Sequence, residues 1–243
     1  MSQVKTKTLG GIGMLDVTVA KTIFQHIPQF KLGVIHYTNI VVSVSPQMLR
    51  GRFQLFQEHL KFEFEDKKPS DDPAIQEWRT IVKKCGSDPS RYRHSAEALL
   101  RRVVKGNFLT SVNSAVDVTN LLSLQYKMPF GIYDLNKLAL PIQLNIGTEK
   151  DAYEALNGRT YHLTNKLMLQ DKKGPFGSPF VDSKRSSVSN QTTNGLHIVY
   201  LLPSTDRSKA RKQLEAIANM FSSLHGGEHH IQLIKNEIDG VPL

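Results

Sequence analysis

Residues 113–138 read NSAVDVTNLLSLQYKMPFGIYDLNKL. Apolar residues recur in the first half of this stretch at spacings of three and four, which predicts one buried face of a helix over 113–126. They are Ala115, Val118 and Leu122. After the helix, Pro129 and Gly131 predict a turn.

Three short polar side chains share a second face of the same helix. Asn113, Asp117 and Asn120 stand at i, i+4 and i+7. Because Asn and Asp are mediocre helix formers, we expect these side chains to be present for what they contact. Two interpretations follow, a face turned toward a ligand or a buried polar network that holds the loop around Pro129.

The chain on either side of this stretch alternates between helical and strand patterns. Helices are predicted over 49–62, 73–86 with Asp72 as N-cap, 95–105 and 207–224, and strands over 32–44, 142–146, 161–169, 196–202 and 231–234. No repeat or linker-like segment divides the 243 residues, so a single α+β domain is expected. The long loop over 172–193 is a candidate for carrying function.

The charge balance indicates a polyanionic partner. The chain has 31 Lys and Arg against 22 Asp and Glu, a formal net charge of +9. A basic surface attracts nucleic acid, although lysines scattered for solubility produce the same sum. Five cations fall in one short region, where they form either a nucleic-acid contact or a solvated helix face. They are Arg91, Arg93, Arg101, Arg102 and Lys105.

Several classes of protein and of site are excluded or disfavoured. No apolar run reaches the roughly 20 residues of a membrane span. The first ten residues lack the apolar core of a secretion signal, and Cys85 is the single cysteine. A cytoplasmic protein is therefore expected. There is no nucleophile elbow, Walker loop or paired C-x-x-C. Gly226 and Gly227 separate His225 from His229 and His230 and interrupt the helix that a metal-binding spacing would need. A solvated loop is therefore favoured over a metal site. Cys85 is interpreted as a structural thiol.

Two motifs together resemble a known family. Asn113 to Asn120 is similar to N-x-x-V-D-x-x-N, and Pro129 to Leu138 is similar to P-x-x-x-[FY]-D-L-x-K-L. Both are patterns of the tRNA-binding and editing domain of the phenylalanyl-tRNA synthetase β subunit. The stretch RYRHSAEALLRR, residues 91–102, resembles free-standing relatives of that domain. Asp171, Asp182-Ser183 and Thr192-Thr193 follow in the expected order, so the resemblance covers about residues 90–202.

The resemblance implies a sandwich-like core of mixed or antiparallel sheet with packed helices. Residues 32–85 and 207–224 would pack onto the family-like core within one domain of residues 1–243. It also implies a protein that binds the 3′ end of tRNA and hydrolyses the ester of a mischarged aminoacyl-tRNA. Such an ester needs mainly a positioned water and oxyanion donors, so no cofactor, metal or catalytic triad is implied. The whole chain lacks the other domains of the synthetase and is not expected to aminoacylate.

The implied site divides into three groups of residues. The candidates for orienting substrate and water are Asn113, Asn120, Thr192 and Thr193. The candidates for supporting the substrate pocket are Asp117, Ser123, Pro129, Gly131, Tyr133 and Asp134. The candidates for contacting tRNA are Arg91, Arg93, Arg101, Arg102, Lys105, Lys184 and Arg185.

The chain departs from the family pattern at two places. Gly131 stands where the bacterial pattern has histidine, and residues 182–187 replace a glycine-rich segment. The predicted function is tRNA binding with hydrolysis of a mischarged aminoacyl-tRNA. Two alternatives remain: an RNA-binding module that has lost the chemistry, and a small-molecule hydrolase or binder that uses the same pocket. An accessible cleft beside Gly131 favours an enzyme, whereas buried and mutually bonded candidate residues favour the binding module.

Overall fold

The computed structural model describes residues 14–236, and the N-terminal residues used in the argument about secretion lie outside this range. Six α-helices occur within the range: α1 (Lys21–His26), α2 (Gln47–Glu63), α3 (Pro73–Lys84), α4 (Ser95–Val104), α5 (Ser114–Tyr126) and α6 (Arg207–His225). The strands of the same range are β1 (Val17–Val19), β2 (Lys31–Thr38), β3 (Phe130–Asp134), β4 (Ile142–Ile146), β5 (Ala152–Glu154), β6 (Thr160–His162), β7 (Leu167–Asp171), β8 (Gly174–Gly177), β9 (Gly195–Tyr200) and β10 (Glu228–Lys235).

The strands form two four-stranded sheets and one short ribbon. The first sheet has the order β10-β2-β9-β3 and is antiparallel throughout. The second has the order β1-β4-β7-β8, in which only β1 and β4 are parallel, and β5 pairs with β6. Side chains of both sheets meet in one hydrophobic core, where Tyr133 of β3 packs edge-to-face on Phe176 of β8. The predicted α+β domain with a mixed and antiparallel sheet core is confirmed.

Helices α5 and α6 cover one face of the first sheet. The apolar stripe of α6 is buried, and Leu214 lies directly on Gly33 of β2, which has no side chain to prevent the close approach. From α5, Thr119 reaches the ring of His197 on β9, with 3.3 Å between its hydroxyl and Nε2. This packing places the N-terminus of α5 next to the loop that follows β2, where Ser114 N donates to Ser43 O.

Most helix boundaries follow the local signals in the sequence. Asp72 caps α3 by accepting hydrogen bonds from the backbone N–H groups of Ala74 and Ile75. Gly86 and Gly106, which follow α3 and α4, have positive φ angles of 92° and 78°. A helix end of this kind suits glycine, because the left-handed backbone conformation costs it little.

Two predicted strands are longer than the strands observed. The strand predicted over 32–44 ends at Thr38, because Asn39 takes a positive φ of 56° and turns the chain away from the sheet. The strand predicted over 161–169 is divided into β6 and β7 by a turn at Asn165, whose φ is 57°. Asn tolerates this conformation well, so both interruptions occur at asparagines that the strand patterns passed over.

The turn predicted at Pro129 and Gly131 is wrong. The chain reverses earlier, at Lys127, whose φ of 53° ends α5, and Gly131 lies inside strand β3. The segment over 172–193 is not one long loop either. It contains β8 and a short 3₁₀ turn over Lys184–Ser186 that is capped by the Ser183 hydroxyl.

Candidate functional site

The polar stripe of α5 is a buried network at the start of the helix. Asn113 is the N-cap, and its side-chain oxygen accepts a hydrogen bond from Val116 N at 2.9 Å. Asp117 is 1% exposed and accepts hydrogen bonds from the hydroxyl of Ser45 at 2.5 Å, from the backbone N–H of Val112 at 2.9 Å and from the hydroxyl of Ser111. These bonds hold two separate loops against α5.

The rest of α5 contributes little that is free to contact a ligand. Asn120 is partly exposed one turn after Asp117. Ser123 is buried and donates to Met128 O at 2.8 Å, which closes the C-terminal end of the helix. Neither Asn113 nor Asn120 lines any of five clefts on the surface of residues 14–236.

The two threonines have different environments. The Thr192 hydroxyl is buried, donates to the carboxylate of Asp134 at 2.8 Å and accepts from Ser189 N at 3.0 Å. Asp134 also accepts from the backbone N–H of Asn136 at 3.1 Å. Thr193 is exposed, and its hydroxyl lies 3.5 Å from the side-chain nitrogen of Asn136. Thr192 therefore bridges β3 to the loop before β9, and its one O–H donor is used by Asp134.

The space beside Gly131 is filled by an aromatic ring. A Cβ atom built on Gly131 would lie 2.6 Å from Cζ and 2.8 Å from Cε2 of Tyr133, and one built on Gly177 would lie 2.7 Å from Cζ and Cε1 of the same ring. The Tyr133 hydroxyl donates to the carboxylate of Asp182 at 2.6 Å. Pro129, directly before β3, is buried, and its carbonyl accepts a hydrogen bond from Tyr200 N. Gly131 and Gly177 thus provide the room that Tyr133 occupies.

Asp182 is a chemically distinctive group that the candidate residues chosen from sequence do not include. Burial raises the pKa of its carboxyl to about 7, and hydrogen bonds from Tyr133 and Ser178 N oppose part of that rise. Burial raises the pKa values of two further phenols, Tyr153 and Tyr200, and the nearby carboxyl of Asp182 adds to the rise. The Asp182-Ser183 dipeptide was matched to the family in sequence, but its link to Tyr133, 49 positions earlier, has no local signal.

Five of the predicted catalytic and pocket residues belong to three separate hydrogen-bond networks. In the first, Asn113 caps α5 and Asp117 bonds to two neighbouring loops. The second joins Thr192 to Asp134, and the third joins Tyr133 to Asp182. The first two networks hold helix α5 and the loop before β9 in place.

The predicted cationic region surrounds a buried carboxylate. The side chain of Glu97 on α4 is 0% exposed, and Arg79 Nη1 on α3 lies 3.0 and 3.1 Å from its two oxygens. Arg93 and Arg101 lie at 3.9 and 3.7 Å from the same carboxylate and are partly exposed. Three guanidinium groups around one carboxylate leave an excess of positive charge. Arg79 was missed from the sequence because it reaches Glu97 from a different helix.

The other cations of this region extend the charged face. Arg91, Arg102 and Lys105 are exposed. Together with Arg93 and Arg101, they produce a positive surface around and along α4, which we call the α4 surface. Such a surface meets the electrostatic requirement for contact with a polyanion.

Lys184 and Arg185 lie on a separate cleft of about 410 Å³ and are both ion-paired. Arg185 forms a bidentate pair with the carboxylate of Asp171, with both distances 3.0 Å, and also donates to Gly174 O. Burial alone would raise the pKa of Asp171, but the hydrogen bonds from Arg185 and from backbone N–H groups hold it below its ordinary value. Lys184 pairs with Glu154 at 3.2 Å in an exposed position.

The histidines near the C-terminus differ from the solvated loop that was predicted. His225 is buried in the last turn of α6, where Nδ1 is 2.8 Å from Phe221 O and Nε2 is 2.9 Å from the Ser114 hydroxyl. His229 and His230 lie in strand β10. Within residues 14–236, no group of three or more His, Cys, Asp or Glu side chains is arranged to hold a metal ion.

Cys85 is a buried free thiol, and burial raises its pKa to about 12, so it is protonated at neutral pH.

In the part of the chain that the structure describes, no helix has the length and apolar character needed to cross a bilayer.

Comparison with known proteins shows the family. The model of the B3/4 domain matches residues 77–226 of this chain. The chain is a member of the B3/4 domain family. The Bacillus subtilis protein YhzB is 31% identical to this B3/4 protein over 217 residues, which cover 89% of this chain and 98% of YhzB.

Other relatives of this B3/4 protein are phenylalanine–tRNA ligase β subunits. The Malacoplasma penetrans subunit is 32% identical over 91 residues, and the Pasteurella multocida subunit is 28% identical over 107 residues. The matched regions cover 36% and 43% of this chain but only 12% and 14% of those subunits. An N-terminal fragment of the Pyrococcus horikoshii phenylalanyl-tRNA synthetase β subunit aligns in structure at 13% identity and a TM-score of 0.47, over 92% of this chain and 52% of that one.

Proposed function

We propose that this B3/4 protein binds tRNA through the α4 surface and acts as a binding module rather than as a hydrolase. The observation that carries the proposal is a cluster of three arginines around one buried carboxylate, that of Glu97. The arginines are Arg79, Arg93 and Arg101. The cluster orients guanidinium groups on a surface that stays positive, and guanidinium groups bind phosphate well. The net charge of +9 and the relation to synthetase β subunits support the same partner.

The internal bonding of the candidate catalytic residues favours binding over hydrolysis. The side-chain oxygen of Asn113 caps α5, and the Thr192 hydroxyl donates to Asp134. The ring of Tyr133 occupies the space beside Gly131. Hydrolysis of an ester needs a water and an oxyanion donor with free hydrogen-bonding capacity. We place the binding function in the cytoplasm, on the argument that the chain has a single cysteine, Cys85.

The test of binding uses exposed cations of the α4 surface. Arg102→Ala and Lys105→Ala should each weaken tRNA binding and reduce the slope of log affinity against log salt by about 1, because each removes one phosphate contact. Lys212→Ala, an exposed lysine on α6, is the matched control and should leave the slope unchanged. Fluorescence anisotropy with labelled tRNA over a range of salt concentrations measures both quantities. Equal slopes for wild type and both variants would contradict this assignment.

A second candidate function, hydrolysis of a mischarged aminoacyl-tRNA, is favoured by Asp182. A carboxyl whose pKa is about 7 is suited to proton transfer at neutral pH. The test is deacylation of a panel of mischarged tRNAs that includes tyrosyl-tRNA(Phe), by wild type and by the Asp182→Asn, Asn113→Ala and Asp117→Ala variants. Turnover by wild type that is lost in a folded, tRNA-binding Asp182→Asn variant would establish the hydrolase. Salt-insensitive turnover of a small ester without RNA would favour the third function, a small-molecule hydrolase.

A further inference from the structure

Lys166 is a buried lysine between two aromatic rings. It lies in the turn between β6 and β7, and the residue is 4% exposed. Its Nζ is 4.0 Å from the ring centroid of Tyr92 and 5.6 Å from that of Tyr161. Both tyrosines are partly exposed, so the ammonium group lies just beneath the surface.

The ammonium group of Lys166 has little compensation for its burial. It donates to Thr164 O at 3.3 Å, which uses one of its three N–H groups. Within residues 14–236, no carboxylate lies within 4.0 Å of it. Buried lysines are normally paired with an acid, because removing an ammonium group from water is costly.

A neighbouring positive charge makes the position less favourable for a cation. The Arg91 guanidinium carbon lies 5.2 Å from the centroid of the same Tyr92 ring. Burial and the positive charge of Arg91 both lower the pKa of Lys166. The two cations lie against one aromatic ring, whose attraction for each of them opposes their mutual repulsion.

The backbone holds Lys166 firmly in this position. Its N–H donates to Leu163 O at 2.9 Å, and its carbonyl accepts from Gly147 N at 2.8 Å. The Ser87 hydroxyl donates to Asn165 O at 2.8 Å and so ties this turn to the segment that carries Arg91 and Tyr92. The arrangement is therefore organised before any ligand arrives, which reduces the entropy lost on binding.

We propose that Lys166, Arg91 and Tyr92 form a subsite for a backbone phosphate of a single-stranded RNA segment. A phosphate supplies a negatively charged partner for the two cations. Its oxygens can accept hydrogen bonds from the remaining Lys166 N–H groups and from the Arg91 guanidinium. Partly exposed aromatic rings beside such cations are typical of sites that bind single-stranded nucleic acid. The inference rests on the proposed tRNA binding and extends it from the α4 surface to a defined contact.

The first experiment probes the amine of the wild-type protein by limited acetylation and mass spectrometry. Millimolar inorganic phosphate should protect Lys166 several-fold, whereas chloride at equal ionic strength should not. Saturating tRNA should protect it as well. The exposed Lys212 should be modified equally under all of these conditions. Arg91→Ala should weaken the protection by phosphate, because it removes one of the two cations.

The second experiment measures tRNA affinity against salt. Lys166→Met should lower the affinity about tenfold and reduce the salt slope by about 1, whereas Lys166→Arg should keep the slope and Lys212→Met should change neither. If wild type binds tRNA but neither phosphate nor tRNA protects Lys166, the subsite is refuted and the tRNA-binding function stands. If phosphate protects Lys166 but wild type binds no tRNA, the RNA assignment and the proposed function fail together, which leaves a site for a free phosphate compound. Since protection is measured on wild type, a Lys166→Met variant that fails to fold does not remove the test.

Discussion

Replacement of Gly131 by alanine should destabilise the protein, although alanine is normally preferred to glycine within a strand. The added Cβ would lie 2.6 Å from Cζ of Tyr133 and nearer still to its hydroxyl oxygen, so the ring must move. The ring is fully buried and is also pressed against Gly177, so it has no room to move without disturbing β8. The substitution tests directly whether glycine is required at the position where the family pattern has histidine.

The expected cost has two parts. Overpacking of a well-filled core by one methyl group costs about 1–3 kcal/mol. Displacement of the ring also breaks the hydrogen bond between Tyr133 and Asp182, which contributes about 1 kcal/mol. The sum is a loss of about 2–4 kcal/mol in the free energy of unfolding, or roughly 5–15 °C in Tm for a chain of this size.

Urea denaturation followed by circular dichroism measures this loss, and two further variants provide the controls. Gly51→Ala in α2, where a Cβ meets nothing within 4 Å, should raise the stability by about 0.5–1 kcal/mol. In a Tyr133→Leu background the hydroxyl and distal ring atoms are absent, so Gly131→Ala should cost much less, with a coupling energy of about 1–3 kcal/mol. A Gly131→Ala protein as stable as wild type, or a coupling near zero, would refute the assignment of Tyr133 as the group that fills this space.

Three other predictions concern the buried charges. Glu97→Gln should lower the free energy of unfolding by about 3 kcal/mol in urea denaturation, because it removes the buried charge that three arginines share, whereas Glu215→Gln, in an exposed pair, should stay within about 0.5 kcal/mol of wild type. Burial raises the pKa of Asp182 to about 7, so the folded state retains a proton that the unfolded chain releases from about pH 4 upward. The resulting contribution to the stability of the folded state is lost as the pH rises through 7. Asp182→Asn should therefore flatten the decline in the urea midpoint from pH 5 to pH 8. Arg185→Lys should cost about 1–3 kcal/mol in thermal or urea unfolding, because lysine cannot reproduce the bidentate contact with the buried Asp171; an unchanged midpoint would argue against a structural role for Arg185.

The predicted site residues remain predictions, but the structure changes what is expected of several of them. Asn113 was selected for its place on a polar stripe, and that stripe is a helix cap with a buried carboxylate one turn later. The spacing predicts a helix that includes Asn113, but α5 begins at Ser114 and Asn113 precedes it in an extended conformation. The stripe faces two loops because Ser45 and Ser111 bond to Asp117. The spacing of residues along the helix does not predict where these two serines lie.

The division of the chain into a family-like core over about 90–202 with flanking segments likewise stays a prediction. The B3/4 match extends further in both directions, over residues 77–226, and so includes most of α3 and all of α6. Arg79, which pairs with Glu97 beneath the α4 surface, lies inside this longer range. Functional tests should therefore use the whole chain.

Features that depend on neighbours within about one helical turn follow from the sequence alone. The Asp72 cap, the apolar stripe of α6 and the glycines that end α3 and α4 are of this kind, because capping and amphipathicity involve residues three or four positions apart. The relation to the B3/4 family also follows from the sequence, since its motifs are linear. Tertiary structure alone decides that Arg79 reaches Glu97, that Tyr133 fills the space at Gly131 and Gly177, and that Lys166 lies against Tyr92. Apart from Gly131 and Tyr133, which share strand β3, these partners come from different elements of the fold. A buried charge or ring acquires its energetic effect only when the packed core excludes water from it.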